Sequence, residues 1–169
     1  KNFVRLIKAY NILVRRYQIP HKLVIVGSKG WLYKEIEETI HALRLDGRVN
    51  LTGFVKDQDL PYLYGAAEVF AFPSLYEGFG IPVLEAMGCG TPVVTSSVSS
   101  MPEVAGDAAL LVSPYDVEAL ASALWRLLDD AYLQNELCLR GFERVRQFTW
   151  RETAKKLVRA YRRLFVNGR

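Results

Sequence analysis

Apolar positions along this chain switch between two spacings. Phe3, Leu6, Ile7, Tyr10, Leu13, Val14 and Tyr17 recur with a helical period, while Arg5, Lys8, Arg15 and Arg16 fall outside that stripe. This predicts an amphipathic helix packed on a sheet. Pro20 ends it, and Lys22-Leu-Val-Ile-Val26 reads as a strand. The glycine turn Gly27-Ser-Lys-Gly30, with Lys29 as a solvated turn residue, leads into a helix expected from about Leu32 to Leu45. Val49 to Thr52 is the next strand, and Gly53-Phe-Val55 turns out of it. Asp57-Gln-Asp59 stands just before Leu60-Pro61 and a short helix, where Asp serves as a cap. Beyond a strand ending at Phe72, further strands fall at Thr91–Thr95 and Ala108–Val112, with a short helix opening at Met101-Pro102 between them. Asp116 caps a helix whose inner stripe is Val117, Leu120, Ala121, Leu124, Leu127 and Leu128. Another helix runs to about Phe148, and Trp150 starts the last one, with Ala154, Leu157, Val158, Tyr161, Leu164 and Phe165 on one face.

Strands at 22–27, 49–52, 68–72, 92–96 and 108–112, separated by helices, predict an α/β protein. They should form a parallel sheet covered on both faces. A length of 169 residues fits one domain, 1–169.

One stretch in this frame carries chemistry. Phe72-Pro-Ser-Leu-Tyr-Glu77-Gly-Phe-Gly-Ile81-Pro-Val-Leu-Glu85 leaves a strand's carboxyl end through a loop and enters a helix at Ile81, with Pro82 in the first turn. In open α/β sheets ligands bind at such places. Backbone N–H groups from Gly78 through Phe79 and Gly80 to Ile81 would offer positive partial charge to a phosphate. Glu77 in the loop and Glu85 about one turn into the helix can each accept paired hydrogen bonds from vicinal hydroxyls, at roughly 1.5–3 kcal/mol per charged bond. Hydroxyls, phosphate, hydroxyls is the chemistry of a nucleotide sugar. From spacing alone, the plainer reading comes first: a Glu85 that only complements the helix dipole and a solvated Glu77.

Glu77-Gly-Phe-Gly-Ile-Pro-Val-Leu-Glu85 resembles the E-x7-E motif of retaining family 4, or group 1, glycosyltransferases of the GT-B fold. Lys1-Asn2 before an amphipathic helix resembles the start of that family's second domain. Gly53-Phe54-Val55 resembles its base-binding turn, and Phe148-Thr-Trp150 its F-S-W entry to the last helix. The resemblance runs in order along essentially the whole chain. It implies a Rossmann-like domain that binds the donor, the C-terminal half of a two-domain enzyme whose other half holds the acceptor. It further implies a strand before Lys1, and retention during hexosyl transfer (mannosyl or glucosyl) from a donor such as GDP-mannose or UDP-glucose to an acceptor hydroxyl. Glu77 would hold the sugar near the reacting carbon, Lys1 would neutralise the leaving diphosphate, Glu85 would bind the ribose diol, and Phe54 and Val55 would flank the base. No cofactor or metal is implied, and this domain alone would not catalyse transfer. Glu103 matches a Pro-Glu position of the family, where a structural hydrogen bond is expected. A catalytically silent nucleotide-binding module of the same fold is the alternative, but such a variant should have lost Glu77, Glu85 or Lys1.

Composition narrows the rest. Two cysteines, Cys89 and Cys138, give no disulfide framework, and two histidines, His21 and His41, lack ligand-spaced neighbours for zinc. Residues 151–169 hold seven Lys and Arg against one Glu, while the other 150 carry 15 basic and 17 acidic side chains. The net charge of +4 therefore belongs to the last helix, and no nucleic-acid-binding module accompanies it. No apolar run approaches the ~20 residues of a membrane span. No signal peptide precedes Lys1, although the chain opens within a motif, so a cytoplasmic location is expected, at the inner face of the membrane if the basic helix engages it. That helix reads first as a solvated strut between domains and second as a peripheral contact with anionic lipid, near a glycan or lipid-linked acceptor.

Overall fold

The computed structural model describes residues 1–28 and 33–167. In chain order the elements are α1 (Phe3–Arg16), β1 (Leu23–Val26), α2 (Tyr33–Ala42), β2 (Val49–Gly53), α3 (Leu60–Gly65), β3 (Phe70–Phe72) and α4 (Ile81–Gly88). β4 (Val93–Ser96), α5 (Met101–Ala105), β5 (Ala109–Val112), α6 (Val117–Asp129), α7 (Ala131–Val145) and α8 (Trp150–Asn167) follow. Lys29 and the expected helix start at Leu32 lie outside the described residues.

All strand pairs are parallel, but the single sheet read from the strand spacing is divided. β1 pairs with β2, and β3, β4 and β5 pair in that order, as two separate ladders. Among the described residues side chains join them: Ile25 of the first ladder and Val94 of the second lie in one buried cluster, with Leu51, Val69 and Ala71 packed against it. Hydrophobic spacing specifies which residues are buried and is silent on which strand edges pair. The helices cover both faces because adjacent strand residues point opposite ways. Val94 faces the cluster formed with Leu6, Ile7, Tyr10 and Leu13 of α1 and Leu120, Leu124 and Leu127 of α6. Val93 faces the other cluster, with Val83 and Met87 of α4 and Met101 and Val104 of α5.

The caps are mixed. Asp116 Oδ1 accepts from the Ala119 amide at 2.9 Å as expected, and Asp130, which the sequence reading overlooked, does the same for Leu133 at 2.9 Å. Asp59 occupies the cap position of α3 without a side-chain bond to the helix. Its backbone is already right-handed helical (φ −96°, ψ −17°), in a turn where its amide donates to Lys56 and that of Leu60 to Asp57. Asp116 and Asp130 have the extended backbone that swings a carboxylate over the first turn, and Asp59 does not. Among the described residues no three acidic, histidine or cysteine side chains cluster as metal ligands, and no helix is long and apolar enough to cross a membrane.

Candidate functional site

The loop from Pro73 to Gly80 is shaped by serines. Ser74, only 2% exposed, donates its hydroxyl to Glu77 Oε1 at 2.9 Å. The Glu77 carbonyl accepts from Ser99 Oγ at 2.7 Å and Ser100 Oγ at 2.9 Å, and its amide donates back to Ser99 Oγ at 3.3 Å. Ser100 Oγ also lies 2.9 Å from the Phe79 carbonyl. Side chain and backbone of Glu77 are thus tied at once to the strand-end Ser74 and to the loop after β4. The S-x-x-E spacing of Ser74 and Glu77 was a visible signal, because it is the spacing of a capping box. Ser99 and Ser100, more than twenty residues away, gave none.

The loop enters α4 through Gly80, whose left-handed backbone (φ 105°, ψ 43°) glycine adopts without strain. Pro82 has no N–H, and the Val83 amide already donates to the Gly80 carbonyl at 3.0 Å. By contrast, the amides of Gly78, Phe79, Gly80 and Ile81 donate to no partner among the described residues. Four consecutive N–H groups without protein partners at a helix start are donors available to an anion. Phe79 holds the loop from the far side by packing edge-on against Phe148 (centroids 5.7 Å apart), which in turn lies under the Arg144 guanidinium at 4.9 Å. Arg144 donates to the carbonyls of Glu103 and Val104, closing the end of α5. Glu103 therefore enters the network through its carbonyl, while its own side chain is exposed.

Glu85, exposed on α4, accepts from the Tyr64 hydroxyl through Oε2 at 3.0 Å. Lys1 is exposed, and its Nζ sits 5.4 Å from the ring centroid of Phe72, the last residue of β3 before the loop. Its neighbour Asn2 is buried and donates to the Pro114 carbonyl at 2.6 Å, fixing the chain from which Lys1 projects. The structure thus brings Lys1 to the root of the loop that carries Glu77, Gly78, Phe79, Gly80 and Ile81 toward Glu85. Phe54 and Val55 stand apart, just beyond β2; Phe54 is 74% exposed, and among the described residues no hydrogen bond or ring contact joins either to that loop.

The chain matches the model of the family "Glycosyl transferases group 1" over residues 1–144. It is 39% identical over 164 residues to the O-antigen chain mannosyltransferase B of Escherichia coli, covering 97% of this chain and 43% of that protein. The sucrose-phosphate synthase of Thermosynechococcus elongatus superposes with a TM-score of 0.84 at 35% identity, over 99% of this chain and 43% of the other. Anabaena HepE in complex with UDP and glucose superposes with a TM-score of 0.81 at 25% identity, over 95% and 44%. The chain spans less than half the length of each of these proteins. It belongs to the group 1 glycosyltransferases and has the fold of one half of a GT-B enzyme.

Proposed function

We propose that this chain is the donor-binding half of a retaining hexosyltransferase that uses a nucleoside diphosphate sugar, with mannose or glucose as the sugar. The row of unpartnered amides from Gly78 to Ile81, lying between Glu77 and Glu85, carries the reading. A diphosphate on those amides leaves one carboxylate for the sugar hydroxyls and the other for the ribose diol. The mannosyltransferase among the relatives and the UDP and glucose bound by HepE support the same assignment.

Each residue has a task in the transfer. As the bond from the anomeric carbon to the diphosphate breaks, negative charge gathers on the leaving oxygens. The amides and Lys1 meet that charge from fixed positions, which is where electrostatic catalysis gains most. Glu77, held by Ser74, keeps the sugar oriented on one face while the acceptor hydroxyl arrives on the same face. Glu85 anchors the nucleoside, and Phe54 and Val55 pack beside the base. The acceptor, a glycan or lipid-linked hydroxyl, would be presented by the other half of the enzyme.

Calorimetric titration of the full-length protein with UDP, GDP and ADP, and with the matching nucleotide sugars, tests the reading. Glu85→Ala should weaken the bare nucleotide by about 30- to 150-fold, the loss of roughly 2–3 kcal/mol of charged hydrogen bonds. Glu77→Ala should weaken the nucleotide sugar and spare the nucleotide. Equal losses for both ligands in both variants would sink the division of roles.

A further inference from the structure

Glu85 is an exposed carboxylate on a helix surface, and free glutamates of this kind sample many rotamers. Here it is not free. Tyr64, on the short helix α3, reaches across 21 residues to donate its hydroxyl to Oε2 at 3.0 Å. Tyr64 is itself tightly placed. Its carbonyl accepts from the hydroxyl of buried Thr91 at 2.6 Å. Its ring meets Phe70 edge-on at 5.2 Å and 85°, and Phe70 stacks at 5.8 Å on Phe72, which is 7% exposed within the second core cluster. The hydroxyl thus comes from a side chain keyed to the core through two aromatic rings and a strand.

From this geometry we infer that Tyr64 is a positioning residue for ribose recognition: it occupies Oε2 of Glu85 and turns the carboxylate so that its remaining lone pairs face the ligand's diol. The inference rests on the donor reading of Glu85 given above. A carboxylate has about four acceptor sites, so one taken by Tyr64 leaves enough for two hydroxyls. Holding the side chain before the ligand arrives removes an ordering cost that binding would otherwise bear. Partial burial and then the facing Glu85 carboxylate push the Tyr64 hydroxyl above its ordinary range, so it stays a protonated donor at neutral pH.

The consequence is specific to ribose. In the full-length protein, whichever of UDP, GDP and ADP binds would be titrated beside its 2′,3′-dideoxy counterpart, with thermal unfolding as a check on folding. Tyr64→Phe keeps the ring against Phe70 and removes only the hydroxyl. It should weaken the ribonucleotide roughly 5- to 10-fold and leave the dideoxy nucleotide unchanged, so that the preference for ribose shrinks. In a Glu85→Ala background the same change should have no further effect on that preference. A preference that Tyr64→Phe leaves intact, whether both ligands weaken equally or neither does, overturns the inference and leaves the Glu85 reading standing. If the wild-type protein itself shows no preference for ribose, or Glu85→Ala does not reduce it, the donor reading of Glu85 fails and the role of Tyr64 falls with it.

Discussion

The entry into α4 turns on a single glycine, and replacing it gives the sharpest test of how the loop is built. Gly80 is buried, with φ at 105°. An alanine there would hold a left-handed backbone at a cost of about 1–2 kcal/mol. Its Cβ would also fall within the van der Waals shell of Met101 Cε and 3.1 Å from Met101 Sδ. Met101 is fully buried, so its side chain must repack inside the core, which costs about 1–3 kcal/mol. Together Gly80→Ala should lose about 2–5 kcal/mol, whereas Gly78→Ala, with no atom within 4 Å of the new methyl group, should stay within about 0.5 kcal/mol. Gly53→Ala separates the two contributions: its φ of 72° carries the strain, and nothing lies within 4 Å, so only about 1–2 kcal/mol is expected. Urea denaturation of the three variants reads these values directly. Pairing Gly80→Ala with Met101→Ala should cost less than the sum of the single changes, because the truncated side chain makes room. A Gly80→Ala variant as stable as Gly78→Ala, or strict additivity with Met101→Ala, would refute the reasoning.

Other consequences can be checked independently. Because the folded state raises the Tyr64 pKa, its contribution to stability is complete below the ordinary tyrosine value of about 10 and is lost as pH rises through and above it. The stability advantage of wild type over Tyr64→Phe should therefore be smaller in urea melts at pH 11 than at pH 9, with the rest of the loss at still higher pH, and a constant difference would contradict the linkage. Since the proposed mechanism gives charge neutralisation to Lys1 and the amides of Gly78–Ile81, the full-length enzyme should keep its activity in excess EDTA. Activity lost there and restored by Mg²⁺ or Mn²⁺ would instead implicate a metal, with the acidic pair Asp57 and Asp59 as its first candidate ligands. The basic face of α8, opposite the exposed Leu157, Tyr161, Leu164 and Phe165, should carry the full-length protein onto anionic vesicles at low salt, at about 1 kcal/mol per cation near the surface. Glutamates at Arg159, Arg162 and Arg163 should release it without altering nucleotide binding, and a wild type indifferent to such vesicles would end the membrane reading.

What the sequence made legible was whatever depends on period. The stripe Leu6, Ile7, Tyr10 and Leu13 is buried in α1, and Leu120, Ala121, Leu124 and Leu127 are buried in α6, because a helix can place residues at those spacings on one face only. The strands fell within two residues of their observed ends for the same reason. The loop from Phe72 to Glu85 was legible because glycine, proline and paired glutamates punctuate it. What stayed hidden were contacts across long separations: the strand edges that do not pair, Tyr64 on Glu85, Ser99 and Ser100 on Glu77, and Arg144 closing α5. A tyrosine in a short helix and two serines in a polar loop look alike whether or not they touch anything, and only the fold distinguishes them. Asp59 failed as a cap for a local reason, a backbone angle that residue type does not specify.

The two glutamates are held by different means, and the difference fits the tasks proposed for them. Glu77 is fixed chiefly through its backbone, by serines from a loop that is itself strained at Ser99 (φ 59°). Among the described residues its carboxylate accepts one hydrogen bond, from Ser74. Glu85 rides on a helix whose backbone needs no help, so its support goes to the side chain through Tyr64. Lys1 rests on Phe72, and Phe72 stacks on Phe70, against which Tyr64 also packs. The ammonium assigned to the diphosphate and the carboxylate assigned to the ribose are therefore registered on one aromatic stack rising from β3. The amides of Gly78–Ile81 lie on the loop that β3 leads into and that runs on into the helix of Glu85. An electrostatic site gains from groups that do not move when charge develops. In the proposed transfer the backbone amides, which cannot rotate away, would face the largest change in charge, while Lys1 and Glu85 are each braced through the aromatic rings of β3 and α3.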